Sequence, residues 1–290
     1  MGIVFLFPHF PEEQLMKIMI VTDLEGVAGV MNFADWCTLS SPYYEKAKKL
    51  LTLETNAAVE GFFAGGATEI RVVDGHGPGA IDPELLDERV ELQRGAASPI
   101  WPFTLDDSFD GIAWVGQHAM SRTPYSHISH TGSFEVFEAT VNGVAVGEFG
   151  QFALCAAELK VPVIFAAGEE AFTREAEALA PGVITAAVKR GCNSEEGLED
   201  VTAESYSRSK LSAIHLSPAR SRELLRTGAK EAAIKLKTAP DSFSTTVITP
   251  PYEIVTRFRK SEKNPDLPSV LFRRHPTSFI AAMNAPSTLS

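Results

Sequence analysis

Three short apolar runs in this 290-residue chain lead into polar residues of metal-binding type. The run 17–22 leads into Asp23-Leu24-Glu25-Gly26, the run 69–73 into Asp74-Gly75-His76-Gly77, and the run 111–116 into Gln117-His118. Asp23 and Glu25 stand two apart, so an extended backbone turns both carboxylates to one face. Two carboxylates on one face repel unless a proton or a cation lies between them. Glu148, after Gly147, adds a third carboxylate. Asp23, Glu25, His76, His118 and Glu148 together form an oxygen and nitrogen donor set for two zinc ions with one bridging carboxylate, and the same donors accept Mn2+ or Co2+. A two-metal site holds a hydroxide and polarises a carbonyl, which is hydrolase chemistry.

Each of these residues also has an ordinary structural role open to it. Asp23 and Glu25 read equally as a solvated acidic loop after a buried strand. His76 lies in the glycine-rich turn GHGPG, which could be a plain tight turn or a phosphate cradle, although it lacks the lysine and spacing of a P-loop. A histidine such as His118 after an apolar strand is commonly structural. Glu148 opens an expected helix, where a carboxylate is favoured by the helix dipole. His127 and His130, in the loop YSHISHTGS, could chelate a metal, lend one imidazole for proton transfer or oxyanion stabilisation, or simply face solvent. Glu169 and Glu170 follow an apolar run and could begin a helix or line a pocket.

The elements that must bring these residues together are alternating strands and helices. Apolar periodicity predicts strands at 17–22, 69–73, 90–94, 111–116, 161–166 and 183–188. It predicts helices at 43–64, 147–159, 169–179 and 217–237, the last opened by Ser217-Pro218 as cap and first-turn proline. Asn142-Gly143 inside 134–146 predicts a hairpin, and 245–248, 252–258 and 269–272 are later strand candidates. The expected fold is therefore α/β: a mixed, mostly parallel sheet flanked by helices, with an inserted β-hairpin and a smaller C-terminal lobe. Ligands of such sheets gather at the carboxyl ends of the strands, where residues distant in sequence converge.

Composition narrows the function classes. Twenty-six basic against 37 acidic residues give a net charge of −11 and a pI near 5.2, which argues against a general nucleic-acid binder or an anionic-membrane docker. No apolar run approaches the roughly 20 residues of a membrane helix. Cys37, Cys155 and Cys192 form no CxxC pair, so neither a disulfide framework nor a thiolate zinc site is indicated, and a cytoplasmic location is expected. GxSxG, HExxH and GxGxxG motifs are missing from the positions that would use them. Residues 1–15 read as an N-terminal extension, disordered or ahead of a natural start at Met16. Residues 16–290 read as one domain, with a metal-binding core over 16–190 and a smaller C-terminal region over 191–290.

Six ordered segments give the chain a family likeness: TDLEGVAGV at 22–30, VVDGHGP at 72–78, VGQHAM at 115–120, SHTGS at 129–133, VNGVAVGEFG at 141–150 and VPVIFAAGEE at 161–170. Together they resemble the M55 D-aminopeptidases, dinuclear zinc peptidases associated with dipeptide transport. The resemblance covers 17–189 and is weakest over 191–275. It departs after His76, where Asp82 stands near a position at which relatives carry Asn. It implies an aminopeptidase acting on short peptides with an N-terminal D-residue, D-Ala above all, through a metal-bridged hydroxide. Asp23 would bridge two zinc ions, with Glu25 and His118 completing one and His76 and Glu148 the other. His130 would be the catalytic histidine, with His127 as the substitute. Apart from the resemblance, a carboxylate near the metals could receive the substrate's amino group, with Glu169 and Glu170 as candidates. The family's assembly implies a homo-oligomer of pentameric rings stacked as a decamer. The same donor set also suits a dinuclear hydrolase of another amide or of a phosphoester, and the fold alone suits a non-catalytic peptide-binding protein.

Overall fold

The computed structural model describes residues 15–95 and 99–289. The extension expected at 1–15 falls outside the described residues, apart from Leu15. Strand β1 (Lys17–Thr22) sits in the interior of a seven-stranded sheet because it is apolar on both faces. Ile18 and Ile20 enter the core on one side, and Met19 and Val21 the core on the other. β2 (Glu69–Asp74) and β4 (Gly111–Gln117) pair with β1 in parallel on either side, and β3 (Glu91–Arg94) pairs with β2. Beyond β4 lie β7 (Val163–Glu169) and β8 (Ile184–Gly191), both parallel, and a short antiparallel β9 (Ala213–His215). The order is β3-β2-β1-β4-β7-β8-β9. The chain leaves β1 for β2 on one side and enters β4 on the other, so the crevice beyond the ends of β1 and β4 is the switch point of the sheet.

Helices cover both faces. α2 (Tyr44–Gly65) and α6 (Pro218–Thr238) bury Leu51, Phe62, Leu225 and Ala229 against one. α3 (Glu148–Glu158) and α4 (Glu170–Leu179) bury Phe149, Phe152, Phe172 and Ala176 against the other. α6 starts as expected, with the Ser217 side chain accepting from the Arg220 amide and Pro218 in the first turn. Two short helices, α1 (Phe33–Trp36) and α5 (Ala203–Ser207), sit in connections.

The hairpin forms at Asn142-Gly143, both at positive φ (50° and 83°), between β5 (Val136–Val141) and β6 (Val144–Ala145). It belongs to a second, antiparallel sheet of order β11-β10-β5-β6, with β10 (Tyr252–Phe258) and β11 (Val270–His275). Val141 and Ile254 from this sheet pack with Leu154 of α3 and with Phe279 and Met283 of α7 (Phe279–Asn284). Residues 191–290 thus supply β9 and α6 to the first sheet and β10, β11 and α7 to the second.

Two local expectations change. The strand expected at 245–248 does not form. Its backbone makes two separate bonds, Ser244 N–H to the Pro181 carbonyl and Thr246 N–H to that of Leu179, with no strand beside it to pair with. The strand expected at 161–166 instead runs Val163–Glu169, so Glu169 ends a strand rather than starting a helix.

Candidate metal centre

The chain turns immediately after β1, and backbone bonds tie the turn to the end of β4. Asp23 N–H reaches the Val115 carbonyl at 2.9 Å, and Gly26 N–H that of Gly116 at 2.7 Å. Glycine is required at this contact. A Cβ on Gly26 would lie 2.0 Å from the Gln117 carbonyl oxygen, and one on Gly116 (φ +80°) would lie 2.0 Å from that of Asp23. The closeness of the two backbones sets Asp23 beside His118.

The structure brings all five expected donors together. Asp23 Oδ1 lies 3.2 Å from His76 Nδ1, and Asp23 Oδ2 lies 3.2 Å from His118 Nε2. The two oxygens of one carboxylate thus face two different imidazoles. Glu25 Oε2 is 3.2 Å from His76 Nδ1, and Glu148 Oε1 is 3.7 Å from His118 Nε2. Glu25 thus stands near His76, and Glu148 near His118. The Asp23, Glu25 and His118 donor atoms nonetheless lie within 4.8 Å of one another.

Second partners fix which ring nitrogen is free. His76 Nε2 lies 2.8 Å from the Cys37 carbonyl and His118 Nδ1 lies 2.9 Å from that of Ala119. A carbonyl only accepts, so each of those nitrogens carries a proton and the other faces the carboxylates, free to become the metal donor. Gln117 Nε2 donates to Asp23 Oδ2 at 3.1 Å. Two atoms in the cluster, His118 Nε2 and Glu25 Oε2, are fully buried and make no hydrogen bond among the described residues. Buried polar atoms without partners are rare, and a metal ion satisfies both at once. The charge balance points the same way. Burial alone would lower the pKa of His76, but Glu25 and Asp23 push it up to about 12. Burial likewise opposes the charge on His118, yet Glu148 and Asp23 raise it to about 10. Burial raises the Asp23 carboxyl, but His118 and His76 outweigh it and hold it well below the carboxylate range. The acids here demand positive charge, and the residues present fit divalent cations such as zinc.

The two loop histidines separate. His130 is in the site: its ring stacks on His118 with centroids 4.0 Å apart, and its Nε2 is 3.9 Å from Glu148 Oε1. Its Nδ1 bonds the Ile128 carbonyl at 2.9 Å, which leaves Nε2 as the lone pair. Burial and the neighbouring His118 lower its pKa. His127 is elsewhere. Its ring donates to the Met31 carbonyl at 3.0 Å, and burial with Lys189 and His215 nearby pushes it down to about 2. Glu169 and Glu170 do not reach the cavity. Glu169 accepts from the backbone of His127 at 2.7 Å and of Ala119 at 3.4 Å, and Glu170 pairs with Arg174. The expectation that either receives an amino group is therefore replaced by a structural role.

Sequence reasoning missed several residues of the site. Lys189 on β8 is buried beneath the Asp23–Glu25 turn, and its ammonium donates to the carbonyls of Glu25 and Val30. Glu54 on α2 accepts from the Ala28 amide at 3.1 Å and from Ser221 at 2.5 Å. Arg94 on β3 donates to the carbonyls of Asp74 and Gly77, holding the turn that carries His76. Above the donors lies a cavity of about 450 Å³, walled by Trp101, Phe103, Trp114 and Phe152 and lined on the second sheet by Ala139, Thr256 and Arg273.

A carboxylate and imidazole cluster at the switch point of a parallel sheet, opening into a half-enclosed cavity, is the arrangement of a metal-dependent hydrolase. Residues 16–270 match the M55 peptidase family, described as D-aminopeptidase, and the chain belongs to that family. A D-aminopeptidase of Bacillus subtilis (strain 168) is 35% identical over 179 residues, a stretch that spans 60% of this chain and 64% of that relative. Among solved structures, the zinc-dependent D-aminopeptidase DppA from Bacillus subtilis, a self-compartmentalizing protease, superposes with a TM-score of 0.76 at 26% identity. That likeness covers 93% of this chain and 95% of the other.

Proposed function

We propose that the protein is a zinc-dependent aminopeptidase that removes an N-terminal D-residue from short peptides, with D-Ala peptides as the first substrates to test. The observation that carries this reading is the Asp23 carboxylate, whose two oxygens face two imidazoles with buried, unpartnered donor atoms beside them. Asp23, Glu25, His76, His118 and Glu148 would hold two zinc ions, which when bound supply Lewis-acid polarisation of the scissile carbonyl and a water acidified toward a pKa of about 7.

The remaining chemistry belongs to the chain. Gln117 fixes the orientation of Asp23, and the Cys37 and Ala119 carbonyls fix those of His76 and His118. His130 rests as a neutral imidazole because burial disfavours its charge. Its Nε2 takes up a proton and delivers it to the leaving amine, or in the protonated form hydrogen-bonds the developing oxyanion. The aromatic wall excludes water from one side of the bound peptide. Residues 16–290 act as one catalytic unit in this reading. Stacked pentameric rings in the cytoplasm are proposed for its assembly, in keeping with the self-compartmentalizing relative. Among the described residues no helix is long and apolar enough to cross a membrane.

The test is amine release from matched D-Ala and L-Ala dipeptides by zinc-loaded protein, with a chelator-treated control. Chelator-sensitive cleavage of the D-peptide alone is expected. Cleavage of neither, with zinc still bound, would discard the substrate class and direct the search to other amides and phosphoesters.

A further inference from the structure

The inner face of the second sheet carries a charged residue that the reading above leaves unused. In the register of β11, β10 and β5, Arg273 lies opposite Ile254, which lies opposite Val141, and both apolar partners are buried. Arg273 is therefore on the inward face, where it lines the cavity with Thr256 and Ala139 from the next row. The arginines of the outward face are matched: Arg274 pairs with Glu253 at 2.7 Å and Arg257 with Glu138 at 3.1 Å. Arg273 is not. Among the described residues its guanidinium makes one hydrogen bond, Nη1 to the Met283 carbonyl at 2.7 Å, and no carboxylate pairs with it. A guanidinium has five N–H donors in a planar fork that fits a carboxylate. Burial lowers the pKa of this one. It is a half-buried cation with spare donors, in a cavity whose other charged groups are the acids and histidines of the metal centre.

We propose that Arg273 binds the C-terminal carboxylate of the peptide substrate. This rests on the aminopeptidase reading and deepens it by naming the substrate class: short peptides with a free C-terminus. The cavity then matches a zwitterion, with acids at the strand ends of the first sheet and a cation on the second sheet. A cavity of about 450 Å³ holds only a few residues between those ends. A long peptide cannot present its terminal carboxylate to Arg273 while its first peptide bond lies at the metal centre.

The experiment compares D-Ala-Gly with its C-terminal amide on zinc-loaded wild type, Arg273→Met and Arg273→Lys. Binding of a non-cleavable analogue, with the scissile amide reduced to a methylene-amine, is measured by calorimetry in acid and amide forms. Wild type is expected to prefer the acid by about 10- to 100-fold in kcat/KM, mostly through KM, as befits a charge-assisted bidentate contact. Arg273→Met should bring the acid down toward the level of the amide, so that the preference is lost, and Arg273→Lys should keep part of it. Equal use of acid and amide by wild type, or an equal loss on both in Arg273→Met, would overturn the proposal. If Arg273→Met fails to fold, the wild-type comparison and Arg273→Lys still decide. If wild type cleaves neither peptide yet binds the acid analogue through Arg273, the peptidase reading falls and the carboxylate site stands. If wild type binds both analogues equally, the carboxylate site falls.

Discussion

Replacing Lys189 with methionine separates the support of the metal centre from the stability of the fold. The Lys189 ammonium lies under the Asp23–Glu25 turn and donates to the carbonyls of Glu25 and, at 3.2 Å, of Val30. Burial brings its pKa from 10.5 down to about 8, even with Glu169 and Glu25 nearby. That difference corresponds to roughly 3 kcal/mol against holding the charge inside. Methionine removes this cost and fills a similar length, but it strands two buried carbonyls at about 1–3 kcal/mol each. The two effects nearly offset, so the net change in stability should stay within about 3 kcal/mol. The effect on the site has no such offset. The Glu25 carbonyl loses the cation that holds it, and the Glu25 carboxylate is free to leave His76. Zinc affinity should fall about 10- to 100-fold, as for other groups that orient a ligand. Calorimetric unfolding of the metal-free protein gives the stability, and chelator competition gives the affinity. A folded Lys189→Met protein whose zinc affinity stays within twofold of wild type would refute the support role.

Other variants probe the centre more directly. Asp23→Ala should lose both metals, read by elemental analysis; a variant that keeps full metal and full activity would end the bridging role. His130→Ala should keep its zinc and lose about 100-fold or more in kcat; an unchanged rate would remove His130 from the reaction. Glu54→Gln addresses pH. Burial raises the Glu54 carboxyl from 4.5 to about 7, so the folded state binds that proton more tightly than the unfolded state. The resulting stability is fully present below pH 4.5 and is lost as pH rises through 7, about 3 kcal/mol in all. Glutamine keeps the acceptor for Ala28 and Ser221 and puts an amide where Glu54 Oε2 has no partner. Urea unfolding of metal-free wild type and Glu54→Gln at pH 5 and pH 8 should show a pH-dependent difference that favours the variant at pH 8. A difference independent of pH would count against the raised carboxyl.

Four of the donors were legible because they follow apolar strands, and strand ends in a parallel sheet share one edge; Glu148 instead opens α3. Asp23, His76 and His118 stood out as polar residues directly after β-branched or small apolar runs. The family likeness selected His130 over His127, and the structure puts His130, not His127, against the donors. Lys189 and Glu54 gave no such signal. Lys189 sits in the strand sequence AAVKRG and Glu54 in a helix rich in charged residues, where a solvent-facing side chain is the natural reading. Only the packing of β8 and α2 under the turn brings them inside. The 3.2 Å approach of Glu25 to His76 was equally hidden, because it depends on how the Gly75 turn lies against β1. The 245–248 strand failed for the converse reason: its residues suit a strand, but Thr246 bonds the Leu179 carbonyl at the end of α4 and not a strand. Arg273 looked like its neighbour Arg274, and the register of β11 decides which of the two faces inward.

All five donors are drawn from residues 23–148, whereas the sheet that roofs the cavity combines 136–145 with 252–275. The part of the cavity lining that comes from β10 and β11, Thr256 and Arg273, is thus written in a later stretch of the gene than any donor. Changes in β10 and β11 can alter which peptide is accepted without displacing a metal ligand. Diversification among homologues should therefore accumulate in the late strands while the strand-end motifs stay fixed. A library that varies only 252–258 and 270–275 would sample new specificities on an intact hydrolytic floor.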